Sequence, residues 1–554
     1  MTLKRTICIT IAVILGILFL ILGIMIVLFF QKLVDAFIAG ELPLRKGSQT
    51  FELWRKPPVV PYLKVYFFNV TNAKEFMERG EKLRLKEVGP YTYREVWEKK
   101  DTVWHPNGTL SYRQEKNYTF VPSLSFGAES DIVVVPNVPV LSAAGQMPHS
   151  PKIVKKAIGT LLDVLKLEPF SVRNVKEILW GYDDPLIKLA KQFLPEGKRP
   201  PFDNFGLLIG KNATLSDVFT VLTGKENLED FARIALYKGQ NGLGVWKTDT
   251  CNALKGSDGT GFPSMLNENS TVYIYQPDFC RPLELVVKNP QPQKHQGFET
   301  LRFQPADHVF GTVEDYPQND CYCLSKPCAP KGTFNVSQCQ FGSPIFLSWP
   351  HFLHGDPTLR EKIDGLNPNP KIHQFYIDLQ PKLGLAMQAK ARLQINIQMK
   401  KVAEIPQTAN LSDLLVPIIW IEDGIEELPP VVLGLIRQAI NMPEVAEAAL
   451  SYVLFIMGGL MIVGGFLYFI RNSYIGKESM VQSNVASKAD SYYFKGGEVE
   501  KSNGLGNGLV HQYSNTVEME DAIKHPNGNS KSKEAAMETK EAAANGNTNE
   551  SIMT

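Results

Sequence analysis

The sequence has almost no net charge and lacks the short motifs of common enzymes. Its 554 residues hold 58 lysines and arginines against 57 aspartates and glutamates, a formal charge of +1. This balance argues against nucleic acid as a partner, and any charge-based recognition must be local. No G-x-S-x-G elbow, H-E-x-x-H pair or Walker loop is present. We therefore predict no enzyme, no catalytic residue, no bound metal and no cofactor.

Histidine is scarce, with nine residues, and only one pair suggests a metal site. His351 and His354 in WPHFLHGDP would share a face if this segment were helical. The adjacent Pro350 and the strand-rich surroundings favour a structural role instead. We interpret Asp184, in WGYDDP, as the N-cap of a helix rather than as half of a carboxylate pair.

Two long uncharged runs are present, and each is long enough to cross a bilayer as a helix. Residues 7–30 form the first run and residues 448–470 the second. A cleaved signal peptide has a shorter apolar core, so the first run is predicted to remain as an anchor. Paired glycines in the second run suit close helix contact and permit a homo-oligomer through the spans.

The charges beside the two spans predict that both termini lie in the cytosol. Basic residues occupy the terminal side of each span, whereas acidic residues precede the second span on its other side. The basic residues are Lys4, Arg5, Arg471 and Lys477, and the acidic ones are Glu444 and Glu447. The predicted domains are a cytosolic N-terminus at 1–6, an ectodomain at 31–447 and a cytosolic tail at 471–554.

N-x-S/T sequons agree with this topology, since they are glycosylated only in the secretory lumen. One further sequon, Asn549, lies in the tail and should stay unmodified. The seven predicted N-glycosylation sites are Asn69, Asn107, Asn117, Asn212, Asn269, Asn335 and Asn410.

The seven cysteines divide into six in the ectodomain and one near the N-terminus. An even set in an oxidising compartment, without the C-x2-C pairs of zinc ribbons, predicts three disulfides, although six cysteines allow fifteen pairings. Cys8 lies at the mouth of the first span, where it is either a palmitoylation site or a small buried hydrophobe. The ectodomain set is Cys251, Cys280, Cys321, Cys323, Cys328 and Cys339.

Strand patterns dominate the ectodomain, and a short helical stretch interrupts them. The clearest strand is RLQINIQMK, whose alternation predicts one buried face. Between residues 150 and 195, three amphipathic helices are expected: one capped by Ser150, one after Ser171 and one after Asp184. Other strand signals are YLKVYFFNV, DIVVVPNVPVL, TVYIYQ, LELVV, PIFLSW and FYIDLQ.

Beyond residue 470, Gly, Asn, Ser, Lys and Glu dominate, and we predict a disordered tail. GLGNGL in this tail does not follow a strand, so it is not interpreted as a nucleotide loop. The tail contains neither an acidic di-leucine nor a tyrosine-x-x-bulky sorting signal.

A series of segments from the first span to the second resembles the class B scavenger receptors. This family includes the fatty acid translocase, the high-density-lipoprotein receptor, a lysosomal integral membrane protein and the insect sensory neuron membrane proteins. The resemblance does not extend to the tail. It rests on GSQTFELWRKPP, KVYFFNVTNAKEF, EVGPYTYRE, VKEILWGYDDP, YKGQNGLGVW, LSWPHFLHGDP, IDGLNPN, LQPKLGLAMQAKARLQINI and VPIIWIED, and on the pair Cys321 and Cys323.

The resemblance implies an α+β membrane protein in which two transmembrane helices flank a large ectodomain. That domain would have an antiparallel β-barrel-like core, short helices, a three-helix apex and an apolar tunnel. The resemblance also implies the disulfide pairs Cys251–Cys321, Cys280–Cys339 and Cys323–Cys328. In this family the apical helices recognise ligands, so the candidate ligand-binding residues are Lys152, Lys155, Lys156 and Lys166. On composition alone these lysines would simply solvate a helix face.

The expected function is a plasma-membrane receptor, also present in endosomes, that binds lipids or lipoprotein particles at the apex and passes lipid to the membrane. Fatty acids, sterols, phospholipids, carotenoids and anionic ligands are all candidate partners. The alternatives are an adhesion or phagocytic receptor without lipid transfer and a trafficking receptor for a protein cargo. A two-span ion channel shares the topology, but the spans lack pore-lining polar residues. No histidine lies between residues 151 and 193, so a pH switch in the apex is not supported.

Overall fold

Two long helices at the ends of the chain flank a sheet-rich middle. The computed structural model describes residues 2–146, 150–193, 196, 199–289 and 291–493. The first long helix, α1, spans Thr2–Glu41, and the last, α12, spans Asn441–Tyr493. Both are long and apolar enough to cross a membrane. The chain is therefore a two-pass membrane protein whose helices extend beyond the predicted runs.

The glycines of the second span do not all serve the same role. At Gly458 an added Cβ would lie 2.7 Å from the backbone oxygen of Gly16, and at Gly465 it would meet Val13. These two glycines therefore allow α1 and α12 to pack closely. Gly459 and Gly464 have no such neighbour within 4 Å among the described residues.

The segment after the second span is helical where composition predicts disorder. Residues 471–493 continue α12 without a break. No proline occurs there, and adding residues to an existing helix avoids the cost of nucleation. The rest of the predicted disordered tail lies outside the described residues.

Twenty strands occur in the described residues, and most join one antiparallel sheet. They are β1 (Tyr62–Val70), β2 (Leu83–Trp104), β3 (Thr109–Phe120), β4 (Ile132–Pro136), β5 (Phe170–Asn174), β6 (Tyr182–Asp183), β7 (Asn204–Phe205), β8 (Thr214–Leu215), β9 (Phe219–Leu222), β10 (Ile234–Tyr237), β11 (Thr271–Gln276), β12 (Arg281–Val287), β13 (Gln293–His295), β14 (Phe298–Pro305), β15 (Thr333–Asn335), β16 (Ile345–Ser348), β17 (Ile363–Asp364), β18 (Tyr376–Gln380), β19 (Leu385–Met399) and β20 (Leu414–Ile425).

The shorter helices lie between these strands and before the second span. Helix α11 directly precedes α12. The shorter helices are α2 (Gln49–Arg55), α3 (Ala73–Arg79), α4 (Val138–Gly145), α5 (Lys152–Val164), α6 (Val175–Trp180), α7 (Pro185–Phe193), α8 (Asp249–Asn252), α9 (Thr358–Glu361), α10 (Pro370–His373) and α11 (Pro430–Ala439).

The main sheet runs in the order β10-β9-β3-β2-β1-β20-β19-β18-β14-β12-β11 and is nearly closed. The segment at Gly256 and Ser257 contacts both edge strands. Ser257 forms an isolated bridge with Ile274 of β11, and the backbone N–H of Ile234 in β10 donates to the carbonyl of Gly256. Curling both edges toward one segment lets the apolar face turn inward and protects the edges. The α+β class with an antiparallel β-rich core is therefore confirmed.

Most predicted strands are present, and the differences have local causes. In DIVVVPNVPVL only Ile132–Pro136 is a strand, because Asn137 caps α4 by accepting a hydrogen bond from Val140. Helix α5 begins one residue later than predicted, with Pro151 rather than Ser150 as its N-cap. The helix expected after Ser171 begins only at Val175, because residues 170–174 pair with β4 as a strand.

The prediction of one buried face for RLQINIQMK is wrong. Ile397 and Met399 are buried as expected, but Gln394 and Asn396 on the opposite face are buried too. The Gln394 amide donates to Ser348 Oγ at 3.1 Å, and its carbonyl accepts from the His351 backbone. These bonds satisfy amides that would otherwise be costly to bury. Both faces of β19 are therefore covered at this end.

Candidate functional site

One face of the central sheet is largely apolar, and we call it the inner face. One row crosses the neighbouring strands β19, β20, β1, β2 and β3, and each residue in it pairs with the next. The row is Ala391, Asp423, Leu63, Tyr93 and Phe120. Residues paired across an antiparallel sheet project to the same side. On this side the Lys116 ammonium of β3 lies 3.9 Å from Asp423 of β20, although β2 and β1 separate their strands. Side chains converge in this way only on the concave side, so this face is the interior of the nearly closed sheet.

The inner face is not completely filled by side chains. Ala391, Ile395 and Ile421 are only partly buried, although β19 and β20 have hydrogen-bonded neighbours on both sides. Asp423 keeps 30% of its side-chain surface accessible, and Lys116 keeps 23%. Inner-face residues of central strands stay accessible only where they border open space. The inner face therefore lines an internal space bounded mainly by apolar side chains.

Aromatic side chains limit this space toward the apical helices. Trp180 of α6 packs against Tyr93 at 5.2 Å and against Tyr118 at 5.3 Å between ring centroids. The Tyr93 hydroxyl donates to Glu129 at 3.0 Å. The boundary on this side is thus built from residues of β2, β3 and α6.

A buried ion pair lies farther along β2 and β3, on the same face. Lys99 lies 3.3 Å from the Asp258 carboxylate and also donates to the Thr260 hydroxyl at 2.8 Å. The Tyr112 hydroxyl donates to Asp258 at 2.8 Å. Burial lowers the pKa of Lys99, whereas Asp258 opposes that shift. Trp54 packs over the ammonium at 4.5 Å and shields the pair from solvent.

A second ionic group, which we call the carboxylate group, comprises Glu95, Lys116 and Asp423. The ammonium of Lys116 lies 3.5 Å from Glu95 and 3.9 Å from Asp423. The Trp97 indole N–H donates to Oε2 of Glu95. Burial and the nearby Asp423 raise the pKa of Glu95 to about 7, and burial raises the pKa of Asp423 as well.

The opposite face of the sheet carries a cluster of buried rings around Glu87. His351 donates from Nε2 to the Glu87 carboxylate at 2.6 Å, and the Trp420 indole donates to the same oxygen at 2.9 Å. His373 stacks on His351 with centroids 4.3 Å apart. Burial lowers the pKa of His373 to about 4. His354, the other histidine of WPHFLHGDP, bonds through Nε2 to the side chain of Gln374 at 2.8 Å.

Glu87, His351 and His373 lie close enough to suggest a metal site, because their ligand atoms are within 4.8 Å of one another. However, backbone N–H groups donate to Nδ1 of both rings, from Asn367 and Asn369. Each neutral ring must then carry its proton on Nε2, leaving no lone pair there for a metal. The cluster fits a structural role better than a metal site.

The predicted apical lysines have unequal environments. Lys152, Lys156 and Lys166 are exposed, whereas Lys155 is partly buried with its ammonium 3.7 Å from Glu404. Helix α5 packs through Leu162 on Val402 and Ile405. The apolar side chain of Ile153 is 77% exposed and follows Lys152 in the same helix. Lys155 therefore anchors the helix, and the other three lysines remain open to a ligand.

The structure agrees with the prediction that Asp184 is the N-cap of a helix, which is α7. Its buried carboxylate accepts hydrogen bonds from the backbone of Leu186 at 2.9 Å and of Ile187 at 3.2 Å. Two orphan N–H groups at the helix start are thereby satisfied.

The structure contains three disulfides, with the pairing that the resemblance implies. Cys251–Cys321 and Cys280–Cys339 join segments 70 and 59 residues apart, and Cys323–Cys328 closes a five-residue separation. Cys8 is a free, exposed cysteine in α1. The long-range bonds link α8 and the turn between β11 and β12 to the segment between β14 and β16.

The predicted glycosylation sites differ in accessibility. Asn107, Asn212, Asn269 and Asn410 are exposed. The other three, Asn69, Asn117 and Asn335, are partly buried. The side-chain oxygen of Asn69 accepts a hydrogen bond from the backbone N–H of Val134 at 2.8 Å.

Together, the fold defines a two-pass membrane protein with a large, disulfide-bonded, sheet-rich ectodomain. The sequence matches the CD36 family over residues 14–469, and the chain belongs to that family. It is 34% identical over 458 residues to scavenger receptor class B member 1 of Bos taurus, covering 82% of this chain and 88% of the relative. The Mus musculus protein of that name is 35% identical, with 81% and 87% covered.

A second group of relatives carries the name lysosome membrane protein 2. Lysosome membrane protein 2 of Homo sapiens is 33% identical over 399 residues, covering 72% of this chain and 81% of the relative. The resemblance to class B scavenger receptors is therefore confirmed.

Proposed function

We propose that this protein is a class B scavenger receptor that captures lipids or lipoprotein particles at its apical helices and passes lipid along the inner face to the membrane. The accessible apolar inner face is the observation that carries the proposal. The names of the relatives support a receptor role, with the plasma membrane or the lysosome as its location.

The physical case for a tunnel is the cost of exposing lipid to water. Each methylene exposed costs about 0.8 kcal/mol, so a fifteen-methylene chain costs about 12 kcal/mol. An apolar passage removes most of that barrier. Transfer would then run downhill without ATP.

A bulky side chain on the inner face tests the transfer step. Ala391→Trp would fill space beside Asp423, the residue it pairs with on β20. We expect cells expressing the full-length variant to bind labelled lipoprotein particles normally but to lose most selective lipid uptake. Particle association and lipid uptake should be measured on the same cells, with surface expression matched.

Val103→Trp is the matched control, because Val103 is exposed on β2. It should leave both readouts unchanged. Loss of particle binding and lipid uptake together in Ala391→Trp would contradict the proposal. Normal lipid uptake by Ala391→Trp would also contradict it, because transfer would then not run along the inner face.

A further inference from the structure

The carboxylate group interrupts the apolar inner face with charged side chains from three strands. Glu95 on β2 is fully buried, and Asp423 on β20 and Lys116 on β3 border the internal space. Register places Glu95 beside Tyr118 and Trp97 beside Lys116. Any lipid moving along the inner face would pass this group.

One oxygen of Glu95 has no partner in the part of the chain that the structure describes. Oε2 accepts from the Trp97 indole and lies 3.5 Å from the Lys116 ammonium. Among the described residues, none forms a hydrogen bond with Oε1, although the Glu95 side chain is fully buried. An unpaired buried carboxylate oxygen is costly, so a ligand that donates a hydrogen bond there gains the full benefit of satisfying it.

The charge of the group determines which ligand it accepts. Two carboxylates face one ammonium, so the fully ionised group carries a net charge of −1. Burial raises the pKa of both carboxylates, and the nearby Asp423 adds to the shift at Glu95. A lipid carboxylate or phosphate would add like charge in a poorly hydrated space and be repelled. A hydroxyl group brings no charge and can donate to Oε1.

We propose that Glu95, Lys116 and Asp423 form a polar subsite that binds the hydroxyl group of a neutral lipid, such as a sterol, and disfavours lipids with anionic head groups. The hydroxyl donates to Oε1 of Glu95, and its oxygen can accept from Lys116. The proposal rests on the proposed passage of lipid along the inner face. It adds the chemical class of head group that this passage selects.

Binding to the full-length protein in nanodiscs tests the subsite. Three probes are compared: cholesterol, cholest-5-ene, which lacks the 3-hydroxyl, and oleic acid. Hydrogen bonds to charged groups predict that cholesterol binds about tenfold or more tightly than cholest-5-ene. Glu95→Gln should weaken this discrimination at least threefold and improve the affinity for oleic acid relative to cholesterol. The comparison of cholesterol with cholest-5-ene needs only the wild-type protein.

Glu115→Gln is the matched control, because Glu115 precedes Lys116 on β3 and pairs at the surface with Lys100. It should leave all three affinities unchanged. Equal binding of cholesterol and cholest-5-ene by the wild type would overturn the subsite while leaving lipid passage intact. Binding of none of the probes would overturn the proposed function and the subsite together. If Glu95→Gln does not fold, Asp423→Asn provides the second variant with the same expectation for oleic acid.

Discussion

At the scale of single residues, polar groups that hydrogen-bond across separate strands carry much of the specificity of this fold. Glu87 joins β2 to the 3-10 turn around His351 and to Trp420 of β20. Arg392 and Glu422 form a further buried pair between β19 and β20. Such groups are stabilising only when every partner is present. They therefore fix how the segment after β16 covers the outer side of the sheet.

The stacked histidines predict a measurable dependence of stability on pH. The pKa of His373 is about 4 in the folded protein and near 6.5 when unfolded, since burial disfavours its charged form. Between these values the unfolded chain binds more protons, so stability falls as pH drops from about 6.5 to 4. We expect the His373 contribution to fall by about 2 kcal/mol between pH 7 and pH 5.

Thermal unfolding of the detergent-solubilised protein at pH 7 and pH 5 provides the measurement. His373→Gln should show a smaller loss of Tm between the two pH values than the wild type. His105→Gln, at an exposed site, should keep the wild-type difference. An unchanged pH difference in His373→Gln would show that this ring does not carry the effect.

At the scale of elements, α5 combines a docking face with an open, basic face. Leu162 and Lys155 hold it against the segment around Glu404 and Ile405. Gly159 is required because an added Cβ would lie 2.8 Å from Pro406. This packing orients the remaining lysines away from the domain.

The exposed lysines are predicted to bind anionic particles. A triple variant should lower particle affinity about tenfold or more, with a weaker effect at high salt. It combines Lys152→Glu, Lys156→Glu and Lys166→Glu. The control carries the same charge change at exposed lysines elsewhere in the domain. That control is Lys225→Glu, Lys362→Glu and Lys371→Glu.

Particle binding should be measured by titration on cells with matched surface expression. Equal losses in both triple variants would show that overall charge, and not the apical surface, governs binding. Lys155→Glu is not suitable for this test, because it would oppose Glu404 and disturb the docking of α5.

At the scale of the whole molecule, topology determines which chemistry reaches each segment. Both spans pack together through Gly16 and Gly458. The segment between them must then lie on one side of the membrane. Disulfides and glycans belong on the oxidising, lumenal side.

Glycan mapping tests this topology. We expect glycosidase-sensitive modification at the exposed sequons Asn107, Asn212, Asn269 and Asn410, and none at Asn549. Each Asn→Gln change at an occupied site should lower the apparent mass by one glycan. An epitope tag at either terminus should be stained only after the cells are permeabilised. A glycan on Asn549, or staining of intact cells, would contradict cytosolic termini.

Several parts of the fold are predictable from sequence because they depend on local patterns. The two spans follow from uncharged length, and strands such as β1 and β11 follow from composition and alternation. The capping role of Asp184 follows from residue type and position. The family follows from ordered segments across the chain.

The carboxylate group and the histidine cluster could not be found in this way. Glu95 and Asp423 are separated by more than 300 residues and meet Lys116 only through the register of β1, β2, β3 and β20. Glu87 and His373 are likewise brought together by pairing and by the fold of a turn. No local spacing signals such contacts.

By itself, the sequence determined the membrane spans, the strand-rich domain and the family, since these rest on hydrophobic length, on alternation and on ordered segments along the chain. Only the tertiary structure decided which residues face the internal space, why Gln394 and Asn396 are buried, and which apical lysine is paired. The physical reason is that sheet register and closure set the partners of each side chain, and burial and pKa values depend on those partners.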